Sequence, residues 1–117
     1  GRASLEDIAA GIVDFFMEKE ATLQMLNHFL LKEEVDEEAR EKFNSIQAHY
    51  LQQFDQVLES MGCDKDSVRL FSRAFFASLL GIIMSFRNSP DTSSENNRKH
   101  VHRLAKMTAI IFKKGMP

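Results

Sequence analysis

The chain has little of the residues that interrupt helices or cross-link a fold. Its 117 residues include one cysteine, two prolines, five glycines, one tyrosine and no tryptophan. The single cysteine, Cys63, excludes a disulfide within the chain and is typical of a reducing compartment. Long stretches without Pro or Gly favour helices over a β architecture. Because 44% of the residues are hydrophobic, the chain has enough apolar mass for the core of one domain, residues 1–117.

Charge and targeting signals limit the classes of partner. The net charge of −2 gives no overall attraction to nucleic acid or to an anionic membrane. No signal peptide and no transmembrane segment is apparent, and we therefore predict a cytoplasmic protein without membrane contact. The chain starts with Gly1 and leads straight into a predicted helix, which we expect of a fragment of a longer protein.

One apolar stretch organises the chain, Val68 to Phe86, with the sequence VRLFSRAFFASLLGIIMSF. Its apolar run is shorter than the roughly 20 residues that span a membrane. We therefore predict the central helix of a soluble domain, covered on all sides. Small residues recur along it at helical spacing and allow close approach of another helix, from the same chain or from a second copy. This small-residue stripe consists of Ala74, Ala77, Ser78, Gly81 and Ser85.

Apolar spacing of three to four residues predicts helices before this stretch. The first two cover about residues 5–17 and 20–32, with Ser4 as N-cap and a break at the charged Glu18–Glu20. A long third helix covers about residues 37–61, with Asp36 as N-cap. Gly62 ends it, because glycine commonly follows a helix C-terminus.

Turn and capping residues delimit the second half. Asp64 is the predicted N-cap of the central helix, and the last helix covers about residues 93–114. Thr92 and Glu95 have the spacing of a capping box before it. The last helix carries two adjacent apolar rows. Together they form an apolar surface that is wider than contact with one neighbouring helix requires. One row is Val101, Ala105, Thr108 and Phe112, and the other is Leu104, Met107 and Ile111.

No residue pattern indicates catalysis or a cofactor. Cys63 lacks a local signature of a base that would activate its thiol. His100 and His102 point to opposite sides of a helix, whereas His28 and His49 lie on different helices and could meet across a bundle. HExxH, CxxC, a phosphate-binding glycine loop and GxSxG are all absent from the sequence. We predict a protein that is not an enzyme and has no cofactor or metal, with a His/carboxylate metal-binding bundle as a weaker alternative.

Aromatic and methionine side chains on the inward stripes of four helices are the remaining candidates for a site. Such stripes form plain core in most proteins, but an apolar cavity with a few polar groups is the usual form of a small-molecule site. The candidate ligand-binding residues are Phe15, Phe16, Met25, Phe29, Tyr50, Phe54, Phe75, Phe76 and Leu79.

The order of these helices resembles the C-terminal ligand-binding and dimerisation domain of TetR-family transcription regulators. The likeness covers nearly the whole chain. It rests on the split first pair (SLEDIAAGIVDFFMEKEATLQMLNHFL), the long helix after an acidic loop (DEEAREKFNSIQAHYLQQFDQVLESMG), the nearly all-apolar helix (LFSRAFFASLLGIIMSF), and the final helix ending IIFKKGMP. The DNA-binding helix-turn-helix of the family is not in this sequence.

The resemblance implies an all-α fold, an antiparallel bundle of about five helices. It implies a homodimer in which the last two helices of each subunit form a four-helix bundle, and a hydrophobic effector bound among the first four helices. DNA would be bound only through the missing N-terminal domain. The alternative is a helical protein–protein interaction module without a small-molecule site. The dimer-interface residues expected from the resemblance and the small-residue stripe are Ala74, Ala77, Ser78, Gly81, Ser85, Leu104, Thr108 and Ile111.

Overall fold

The computed structural model describes residues 4–31, 37–87 and 93–117, without the side chains of residues 20, 29–31 and 94. It contains five α-helices and, in these ranges, no strand, which confirms the all-helical prediction. The helix bounds agree with the predicted ones to within one residue at almost every end. The helices are α1 (Leu5–Glu18), α2 (Glu20–Leu31), α3 (Glu37–Ser60), α4 (Val68–Phe86) and α5 (Ser94–Lys114).

Local sequence signals set several of these bounds. The Ser4 hydroxyl accepts a hydrogen bond from the backbone N–H of Asp7, and the Asp7 carboxylate accepts one from the backbone N–H of Ser4. Ser4 is therefore the N-cap of α1, as predicted. Lys19 has extended backbone angles and separates α1 from α2, as the charged cluster around it predicted. Gly62 has a φ of +88° just after α3, a left-handed conformation that glycine adopts without strain.

Two predicted caps were wrong. Asp64 does not cap α4, because the chain makes a turn in which the Ser67 N–H donates to the Asp64 carbonyl before the helix begins at Val68. Ser93, one residue after the predicted Thr92, caps α5 by accepting from the N–H of Asn96. Thr92 and Asp36 lie outside the described residues.

All five helices contribute to one hydrophobic core. Its largest fully buried side chains include Phe16 of α1, Phe54 of α3 and Phe75 of α4. The Phe54 and Phe75 rings pack at 4.8 Å between centroids, and Phe75 also meets Phe112 of α5 at 5.0 Å. These contacts join α3, α4 and α5.

α4 is only half covered by its own chain. Seven of its residues are buried, along one side of the helix, whereas Ala74, Ala77, Gly81 and Ser85 on the opposite side are exposed. Among the described residues, the helices of the same chain leave most of the small-residue stripe exposed, and its coverage by a second copy stays a prediction. By length and composition α4 is also long enough and apolar enough to cross a membrane. The sequence analysis had excluded a membrane span because the uninterrupted apolar run is too short. The core helix of a soluble protein passes the same test of length and composition.

Candidate functional sites: a cleft and an apolar face

A cleft of about 590 Å³ opens where the chain bends between α1 and α2. The extended backbone at Lys19 turns α2 away from the axis of α1, and the first half of α3 forms the opposite wall. Apolar side chains and charged side chains both contribute to its surface. The lining residues are Phe15, Glu18, Lys19, Ala21, Thr22, Met25, Glu38, Ala39, Lys42 and Ile46.

The Phe15 ring forms part of the cleft wall and is 38% exposed. It makes T-shaped contacts with Phe16 at 5.1 Å and with Tyr50 at 6.2 Å between ring centroids. Tyr50 in turn contacts Phe76 of α4 at 6.2 Å, and burial raises the pKa of the Tyr50 hydroxyl. The exposed ring is thus backed by an aromatic cluster that extends into the core.

The predicted ligand-binding residues are divided between cleft and core. Phe15 and Met25 line the cleft, and Tyr50 lies half-buried behind Phe15. The side chain of Phe29 lies outside the described part of the chain. Five others are packed in the hydrophobic core and are at most 2% exposed, namely Phe16, Phe54, Phe75, Phe76 and Leu79.

Sequence reasoning missed the polar residues of the cleft. Glu18, Lys19, Glu38 and Lys42 have no inward periodicity, and charged residues of this kind are usually solvated. The helix break at Lys19 was the one sequence signal for the cleft, because a bend between two short helices leaves space between them and a third helix.

Exposed apolar side chains on α4 and α5 form a second candidate site, which we call the α4–α5 face. Large side chains on it are unusually accessible, with Leu70 75%, Phe86 44%, Met107 55% and Ile111 59% exposed. The small exposed residues Ala74, Ala77, Gly81 and Ser85 of α4 complete it. Exposed apolar patches commonly mark interaction sites, so these residues are the second candidate.

Contacts between aromatic rings show how α4 and α5 pack against each other. Phe71 near the start of α4 contacts Phe112 near the end of α5 at 4.9 Å, and Phe86 contacts His100 at 5.7 Å. α4 and α5 therefore run in opposite directions side by side. Met107 and Ile111 are four residues apart in α5 and therefore share one side of that helix.

The predicted interface residues are mostly accessible in the single chain. Ala74, Ala77, Gly81, Ser85 and Ile111 are exposed, whereas Ser78, Leu104 and Thr108 are half-buried. The hydroxyls of Ser78 and Thr108 donate to the carbonyls of Ala74 and Leu104 in their own helices. Sequence reasoning missed Leu70, Phe86 and Met107 as exposed members of the face, because their spacing is equally typical of core.

Two ion-pair sites connect α1 to α5. The carboxylate of Asp14 lies 2.6 Å from Arg98 and 2.8 Å from the His102 Nε2 atom, and Lys113 lies 3.1 and 3.2 Å from the two oxygens of Glu6. Partial burial acts to raise the pKa of Asp14, but the hydrogen bonds and charges of Arg98 and His102 outweigh it, and the pKa lies below its ordinary value. Arg98 and His102 of α5 thus bind α1.

The side chains with catalytic potential do not converge. Cys63 is buried, and burial together with the Asp64 charge raises the pKa of its thiol, so the thiolate that reacts as a nucleophile is disfavoured. Within the described ranges, no group of three His, Cys, Asp or Glu side chains could hold a metal ion.

Comparison with known proteins adds no relative. No protein-family model, no curated protein and no solved structure matches the chain.

Proposed function

We propose that the chain is the effector-sensing and homodimerisation domain of a TetR-like transcriptional repressor and has no enzymatic role. An apolar or amphipathic small molecule binds it and controls DNA binding by an N-terminal domain outside this sequence. In the cell the protein is cytoplasmic, and the five helices form the antiparallel bundle of that family.

The observation that carries the proposal is the α4–α5 face. Leu70, Phe86, Met107 and Ile111 all leave large apolar surface in water. Burying such a side chain from full exposure gains roughly 1.5–3 kcal/mol, and each of these residues can still gain the share that corresponds to its exposed surface. A second copy placed about a two-fold axis covers the same face on both partners. The last two helices of each subunit then form a four-helix bundle.

The cleft supports the effector part of the proposal. Its volume of about 590 Å³ lies in the range of small-molecule sites. It combines an apolar wall at Phe15, Met25 and Ile46 with charged residues, as an amphipathic ligand requires. Binding there shifts the population of dimer arrangements only if the ligand has different affinities for them.

A specific observation favours a second candidate, a helical interaction module without a small-molecule site. Five of the nine predicted ligand-binding residues are core residues with at most 2% exposure. In this alternative the α4–α5 face binds a helix of another protein, and the cleft has no ligand.

Two measurements test the proposal. Sedimentation velocity is expected to give a dimer at micromolar concentration, and a monomer would contradict the homodimer. A thermal-shift screen with apolar and amphipathic compounds is expected to raise the melting temperature, because a ligand that binds only the folded state stabilises it. A flat response across a broad library, with a dimer intact, would favour the interaction module.

A further inference from the structure

The half of the chain that builds the cleft is strongly acidic. Residues 1–67 contain six Lys and Arg against 15 Asp and Glu, a net charge of −9, whereas residues 68–117 contain nine against two, a net charge of +7. All residues that line the cleft belong to the acidic half. A net charge of this size concentrates cations near the surface and repels anions.

The charges in the cleft itself are balanced. Glu18 and Glu38 carry negative charge, and Lys19 and Lys42 carry positive charge. Among the described residues none of these four forms an ion pair.

Arg98 and Lys113 of the basic half pair with carboxylates of α1, whereas α2 and α3, which form the other walls of the cleft, keep more Asp and Glu than Lys and Arg. Because the charges in the cleft cancel, this remaining acidic charge favours a cationic ligand. Lysine can also turn its ammonium group into solvent on its long flexible stem.

The aromatic wall provides a second attraction for a cation. The contacts with Phe16 and Tyr50 hold the Phe15 ring in place while 38% of the residue stays exposed. A ring face attracts an ammonium group through its quadrupole. Met25 and Ile46, on the walls formed by α2 and α3, offer apolar surface to the rest of the ligand.

We propose that the cleft binds an amphipathic organic cation. The ammonium head lies beside the carboxylates of Glu18 and Glu38 and the Phe15 ring, and the apolar tail lies against Met25 and Ile46. The inference rests on the proposed function, since it names the chemical class of effector for the same cleft.

A matched pair of ligands tests the sign of the charge. Decyltrimethylammonium and decanoate, both below their micellar concentrations, are titrated into the protein by calorimetry. Decyltrimethylammonium is expected to bind about tenfold more tightly than decanoate. Its affinity is expected to fall with added salt, because salt screens the carboxylates. Equal or tighter binding of decanoate would overturn the inference and leave the effector proposal intact. Binding of neither ligand would overturn the inference, and the broad thermal-shift screen then decides the effector proposal separately.

Variants locate the binding. Glu18→Gln and Glu38→Gln are each expected to weaken decyltrimethylammonium binding about threefold or more, while Lys19→Gln and Lys42→Gln leave it unchanged or strengthen it. Glu59→Gln, an exposed carboxylate at the other end of α3, changes the net charge equally and is the matched control. Equal loss in Glu18→Gln and Glu59→Gln would show that net charge alone acts, and would contradict a site in the cleft. Circular dichroism confirms that each variant is folded.

The aromatic contribution has its own variant. Phe15→Leu retains an apolar side chain but removes the ring, and is expected to weaken the cation about threefold while leaving decanol binding nearly unchanged. An equal loss for both ligands would assign Phe15 an apolar role only.

Discussion

The carboxylate of Asp14 lies 2.6 Å from the guanidinium of Arg98, 84 positions later in the chain. This ion pair joins α1 to α5, and the same carboxylate oxygen also lies 2.8 Å from His102. α1 thereby lines the cleft through Phe15 and contacts α5 through the preceding residue, Asp14.

The pairing of Asp14 predicts a pH-dependent contribution to stability. Its pKa is lowered in the folded state, so its stabilisation is present above the unfolded pKa of about 3.9 and is lost as the pH falls through the folded pKa. Asp14→Asn is expected to lower the free energy of unfolding by about 1 kcal/mol or less near neutral pH, because the pair is partly exposed and screened. Urea denaturation between about pH 6 and pH 2 is expected to show the two proteins converging in acid. Glu59→Gln is the control, and a constant difference at every pH would refute the linkage.

Gly81 tests the α4–α5 face. An added Cβ there meets no atom within 4 Å, so Gly81→Leu is accommodated in the single chain and gains helix propensity of roughly 0.8–1 kcal/mol. A bulky residue in the small-residue stripe is expected to weaken the proposed dimer about tenfold through overpacking. Sedimentation equilibrium measures the dissociation constant. Gly11→Leu is the matched control, because Gly11 is also an exposed helical glycine with open space at its Cβ. Unchanged dimerisation of Gly81→Leu would exclude this face.

The aromatic contacts at Phe75 predict a large loss of stability on truncation. Phe75 is 1% exposed and contacts both Phe54 and Phe112. Phe75→Ala is therefore expected to reduce the free energy of unfolding by about 3–5 kcal/mol. Ile111→Ala, at a site that is 59% exposed, is expected to cost at most about 0.5 kcal/mol in dilute, monomeric protein. Chemical denaturation of both variants measures the difference, and similar losses would contradict the core assignment.

Cys63 is expected to react slowly with a thiol reagent. The side chain is buried, and burial and the Asp64 charge raise the pKa of the thiol, so little thiolate is present near neutral pH. A disulfide reagent such as 5,5′-dithiobis(2-nitrobenzoate) is expected to label the native chain much more slowly than the chain in urea. Labelling at the same rate in both states would show an accessible, reactive thiol and reopen a catalytic role.

The periodicity of apolar residues determined the fold class and the helix bounds. Helix formation depends on spacing within a few turns, and signals such as Ser4, the charged break at Lys19 and Gly62 act on neighbouring residues. Almost all bounds of the five helices could therefore be predicted from sequence. The caps at Asp64 and Thr92 were wrong, because several polar residues in one loop can each serve as a cap.

Only the tertiary structure decided which apolar residues face a neighbour and which face solvent. Phe75 and Phe86 both belong to α4, yet one is 1% and the other 44% exposed, because exposure depends on whether another helix covers that position. The cleft likewise arises from the angle between α1 and α2 and the position of α3, which apolar spacing does not specify. The sequence alone determined five amphipathic helices, and their packing determined that α4 and α5 keep an uncovered apolar face.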